Sequence, residues 1–240
     1  MALAQRTAGS GRRVVLVHGF TQTGRAWGAV GDALATDHEV VFVDAPGHGH
    51  SAAVEADLAT GAQLLADVGG EATYLGYSMG GRLALCLALA HPEHVEALVL
   101  VGATGGIDDP AERATRRAAD EVLAQSLEAD GVDPFLEQWL AQPLFADLTP
   151  EMAQLEARRT NTVAGLASSL RLAGTGTMVP PLWDRLHEIE APALVVAGEH
   201  DVKFQALGQR LSEAIGDNAS LAIVPEAGHA CHLERPEAFL

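Results

Sequence analysis

The chain has 240 residues, 48% of them hydrophobic, enough to bury one larger single core. A formal net charge of −17 and a pI near 4.8 create a mean field that repels phosphate backbones and anionic lipid, arguing against nucleic-acid or membrane-surface binding. Glycine and proline are spread along the chain rather than gathered into a linker, and no internal repeat is visible.

In chain order, Met1 to Arg13 lacks the apolar run of a secretory signal, and no apolar stretch nears the roughly 20 residues of a membrane span, so a cytosolic location is expected. The first strand, Val14 to Val17, runs into His18-Gly19-Phe20, where a glycine lets a following backbone N–H approach a site; Phe20 is the expected donor, with Thr21 as the alternative. The second, Val40 to Val43, leads into Asp44-Ala45-Pro46-Gly47-His48-Gly49-His50-Ser51. Its two histidines have no carboxylate or cysteine cluster at metal-ligand spacing, so a tight loop and no metal are expected there.

The third strand, Thr73 to Leu75, is followed by Gly76-Tyr77-Ser78-Met79-Gly80-Gly81 and the helix-like run Arg82 to Ala90. Strand, sharp turn and helix are what a G-x-S-x-G nucleophile elbow requires, because small neighbours allow the serine a strained backbone. Cys86 lies in this apolar run; with Cys231 it makes two cysteines, too few for a disulfide framework. After Leu98 to Val101 the strand rhythm stops until Pro192. Helical patterns at Ala111 to Leu127, Phe135 to Leu140 and Glu151 to Thr160 fill the gap, reading as a helical lid over residues 105–190 set between core segments 1–104 and 191–240.

Strands resume at Leu194 to Val196 and Leu221 to Val224. The fold class is therefore α/β: a mostly parallel sheet flanked by helices, with a helical lid between two late strands. A serine hydroxyl is a weak nucleophile until a base takes its proton, so a later histidine and an orienting carboxylate are needed. Asp201 follows the Leu194 to Val196 strand and His229 follows the last strand, giving the order Ser78, Asp201, His229; Glu199 is the competing acid. The Met79 N–H would complete an oxyanion hole with Phe20.

These motifs together resemble the α/β-hydrolase superfamily over nearly the whole chain. In the insertion, Arg113-Ala114-Thr115-Arg116-Arg117, Trp139 to Phe145 and Arg158-Arg159-Thr160-Asn161-Thr162 are similar to the 2-succinyl-6-hydroxy-2,4-cyclohexadiene-1-carboxylate synthases of menaquinone biosynthesis, as is Gly198 to Phe204. The resemblance implies a triad that removes a proton and eliminates pyruvate, without a cofactor, from a small anionic substrate. It also implies that Arg116 and Arg159 pair with carboxylates while Tyr77 and Trp139 line the pocket. The alternative is a hydrolase of small esters or carbon–carbon bonds working through an acyl-enzyme.

Overall fold

The computed structural model describes residues 2–240. Seven strands form one sheet in the order β1-β3-β2-β4-β5-β6-β7: β1 (Gln5–Ala8), β2 (Arg12–Val17), β3 (His38–Val43), β4 (Ala72–Tyr77), β5 (Val95–Val101), β6 (Ala193–Gly198) and β7 (Ala219–Val224). All neighbours are parallel except β1, which runs antiparallel to β3. The sequence reading expected the six parallel strands and missed β1. Its Gln-Arg-Thr-Ala is polar and mostly exposed, and an edge strand paired on one side leaves no apolar signature.

Strand periodicity divides the core. Val15, Val17, Val41 and Val43 lie in the core on the side of α2 (Leu58–Gly69), α3 (Met79–Ala90) and α8 (Val202–Ile215), whereas Val14, Leu16, Val40 and Phe42 lie in the core on the side of α1 (Gly28–Leu34) and α9 (Cys231–Glu234), which α10 (Pro236–Phe239) follows. Helices on both faces explain why these strands are continuously apolar.

Between β5 and β6 lie α4 (Pro110–Asp130), α5 (Val132–Leu140), α6 (Leu155–Arg158) and α7 (Val163–Ala173). They have a small core of their own, built from Ala124, Leu127, Phe135, Leu166, Ala167 and Leu170. Asp109 caps α4 through the Ala111 and Glu112 N–H groups, with Pro110 in its first turn, and Thr162 caps α7 through Gly165. The expected helix over Glu151 to Thr160 is corrected to turns and the single turn of α6. Gln154 adopts φ 51°, which breaks an α-helix. Among the described residues no helix is long and apolar enough to cross a membrane.

Candidate active site

The carboxyl ends of β2, β4, β6 and β7 converge on one cavity. Ser78 stands between β4 and α3 at φ 52°, ψ −104°, and its N–H donates to the Val101 carbonyl at 2.7 Å. The flanking glycines are required by contact: a Cβ on Gly76 would strike the Gly80 carbonyl, and one on Gly80 the Val17 carbonyl.

His229 Nε2 lies 3.2 Å from Ser78 Oγ, and its Nδ1 lies 2.7 Å from Asp201 Oδ2. The His229 and Asp201 side chains are almost wholly buried. Asp201 also caps α8, its Oδ1 accepting the Phe204 N–H at 3.3 Å, so one carboxylate starts a helix and orients the imidazole. Glu234 brackets the histidine by accepting the N–H groups of Gly228 and Ala230. Glu199, the competing acid, instead accepts the Glu226 N–H at 2.8 Å. Ser78, His229 and Asp201 thus form the hydrogen-bonded relay that nucleophile or base activation requires.

The loop after β2 is held from both sides. The Gly19 carbonyl accepts from His18 Nδ1 at 2.8 Å and from the Gln22 N–H at 3.1 Å. In a trans peptide the N–H opposes the carbonyl, so the Phe20 N–H points the other way; it has no intramolecular acceptor among the described residues. Met79 opens α3, where an N–H has no intrahelical partner. Both residues line the cavity beside Ser78. The alternative donor, the Thr21 N–H, is occupied by His48 Nε2 at 3.2 Å.

His18 and His48 are buried supports. His18 Nε2 accepts the Ala45 N–H at 3.0 Å, and His48 Nδ1–H donates to the Pro46 carbonyl at 2.8 Å. Burial pushes His18 down to about 4 and His48 down to about 3, the latter helped by repulsion from His18. His232, packed against Tyr77 and Trp27, is also held down to about 3 by burial. The unfolded chain protonates these groups as pH falls through about 6.5, whereas the folded chain does not until about 4 or 3. Their stability contribution is therefore complete above pH 6.5 and lost on acidification, with a limiting slope of about 4 kcal/mol per pH unit. Urea midpoints should fall steadily from pH 7 through 6 to 5, and His232→Phe should make that dependence shallower. Equal midpoints across this range would contradict the assignment.

The cavity, of about 460 Å³, reaches from Ser78 under the inserted helices. Tyr77, Trp139 and Arg116 line it; Trp139 stacks near Phe135, and its buried indole N–H has no acceptor among the described residues. Arg159 does not line it. Its half-exposed guanidinium pairs with Asp133 at 2.9 Å and with Glu156, a correction to the expected clamp. Its chain neighbour Arg158, 2% exposed, lines the cavity instead and donates to the Ala153 carbonyl at 2.7 Å and to the Thr21 hydroxyl.

Sequence reasoning also missed Arg82 and Lys203 as lining groups. Arg82 stands one helical turn after Ser78, the i, i+4 spacing that keeps both on one side of α3, and donates to the Ala173 carbonyl. Burial pushes Arg82 and Arg158 down to about 10, still cationic at neutral pH, and neither joins an ion pair among the described residues. Arg116 shares Asp120, the one carboxylate among the described lining residues, at 2.9 Å. In a strongly acidic protein this local excess of cations can bind an anion.

Comparisons with known proteins agree with this architecture. Residues 14–240 match the profile described as the alpha/beta hydrolase family. A putative 2-succinyl-6-hydroxy-2,4-cyclohexadiene-1-carboxylate synthase of Bacillus subtilis is 33% identical over 99% of this chain and 91% of its own length. The synthase of that name from an Enterobacter species is 33% identical over 94% of this chain and 87% of its own. Among solved structures, MenH from S. aureus superposes with a TM-score of 0.90 at 29% identity, covering 98% of this chain and 94% of that one.

Proposed function

The chain belongs to the alpha/beta hydrolase family, and we propose that it is a Ser-His-Asp lyase that eliminates pyruvate from a polycarboxylated cyclohexene to give 2-succinyl-6-hydroxy-2,4-cyclohexadiene-1-carboxylate in menaquinone biosynthesis. The observation that carries this reading is the pair of buried guanidiniums, Arg82 and Arg158, lining the Ser78 cavity with neither in an ion pair among the described residues; Asp120, which also attracts Arg82, is hydrogen-bonded to Arg116. A buried, unpaired charge is costly, and a substrate carboxylate supplies its missing counter-ion. Arg116 adds a third positive group, and Tyr77 and Trp139 form the apolar wall.

In the reaction, His229 Nε2 accepts the Ser78 hydroxyl proton while Asp201 holds Nδ1–H and stabilises the imidazolium. The Ser78 oxygen then removes a ring C–H proton. The released electron pair forms the new ring double bond as the ring carbon–oxygen bond breaks, the oxygen leaving with the three-carbon group as an enolate. That enolate takes the proton held by the His229 imidazolium and is released as pyruvate, which leaves the Ser78 hydroxyl and neutral His229 restored. No water is added. The Phe20 and Met79 N–H groups stabilise oxyanion charge in this reading, which their residues' position beside Ser78 in the cavity supports. Coupling pyruvate release to NADH consumption by lactate dehydrogenase tests the proposal: steady pyruvate formation from the cyclohexene, abolished in Ser78→Ala, is expected. An enzyme that cleaves p-nitrophenyl acetate but releases no pyruvate would instead be an esterase.

A further inference from the structure

We infer that Asn161, in the helical insertion, is a positioning residue that holds the oxyanion loop in its working conformation. Thr21 is a β-branched residue at φ 68°, a backbone conformation such residues adopt only where their surroundings hold them. Each of its polar groups is engaged. The N–H donates to His48 Nε2 at 3.2 Å, the carbonyl accepts from Asn161 Nδ2 at 2.7 Å, and the hydroxyl accepts from Arg158. Two of these three partners come from the insertion.

Asn161 is 5% exposed, and both hydrogens of its Nδ2 are engaged. Its Nδ2 also donates to the Arg158 carbonyl at 2.9 Å, and its Oδ1 accepts the Gly49 N–H at 2.8 Å. One amide therefore ties together the loop after β2, the loop after β3 and the segment carrying Arg158. It does not line the cavity, so its influence on the reaction passes through the Thr21 carbonyl to the adjoining Phe20. Arg158 approaches the same loop, within 3.5 Å of the Phe20 carbonyl. The insertion thus does more than roof the site, because the strut that presents Arg158 also fixes the turn that presents the Phe20 N–H.

This inference rests on reading the Phe20 N–H as an oxyanion donor, and its test does not need the proposed substrate. Asn161→Asp keeps the acceptor for Gly49 but turns a carboxylate oxygen toward the Thr21 and Arg158 carbonyls; Asn161→Ala removes all three contacts and serves if the aspartate variant does not fold. Rates per folded molecule, well below each variant's melting temperature, would be measured for pyruvate release and for covalent labelling of Ser78 by a neutral fluorophosphonate. We expect kcat and the labelling rate each to fall about 30-fold, a partial loss of what one oxyanion donor contributes, with KM within about threefold of the parent. Arg159→Ala, which changes another residue of the segment, should leave both rates alone. Parental labelling and kcat in a folded Asn161 variant, or a raised KM with kcat intact, would overturn the inference. A parent that labels but releases no pyruvate would remove the lyase reading and leave the positioning test standing.

Discussion

Ser78→Ala should lower turnover by about four orders of magnitude or more while leaving circular dichroism and the thermal transition near those of the parent, because it deletes only the oxygen that accepts the substrate proton in the proposed mechanism. Alanine retains the compact Cβ that the elbow between β4 and α3 tolerates. His229→Ala should do comparable damage, and the double variant should be little worse than either single one, since the pair acts as a unit. Asp201→Asn should preserve the α8 cap through its remaining oxygen. It would place an amide where His229 Nδ1–H needs an acceptor, giving a loss in kcat nearer three to four orders of magnitude. Turnover within tenfold of the parent in Ser78→Ala would remove Ser78 from the chemistry.

The second large effect belongs to the buried cations. Arg82→Met keeps the aliphatic stem in the cavity wall and removes the charge, so it should reduce kcat/KM for the polycarboxylate by about 3 kcal/mol, roughly 100-fold, as expected when one partner of a desolvated charge pair is lost. A neutral ester needs no counter-ion there and should lose no more than about twofold. Arg82→Lys should recover part of the loss, since an ammonium restores charge without the planar fork. Arg116→Met should act in the same direction but more weakly, because this half-exposed side chain already shares Asp120. Equal losses on both substrates would mean that Arg82 supports the fold through the Ala173 carbonyl rather than binding carboxylate.

What could be read from the sequence follows from how local each signal is. The six parallel strands were legible because helices bury both their faces, and the meeting of Ser78, His229 and Asp201 because each follows the carboxyl end of a strand. Adjacent arginines are harder. Arg158 and Arg159 differ by about 100° around a helical turn, and which one faces the cavity is decided by the short α6 that begins after the left-handed Gln154. One clue was available: Glu156 precedes Arg159 by three residues, the spacing of a surface ion pair, leaving Arg158 for the interior. Arg82 carried a similar signal in its four-residue separation from Ser78. The support of Thr21 by Asn161 joins residues 140 positions apart and has no local signature.

The most direct test of the lyase account is the mass of the ring product formed by the parent enzyme from the pyruvyl-bearing cyclohexene. Elimination predicts a diene lighter than the substrate by one pyruvate, formed mole for mole with pyruvate and lost in Ser78→Ala. A ring product heavier than that diene by one water, or an acyl-enzyme trapped on Ser78 during turnover, would contradict elimination and make the protein a hydrolase.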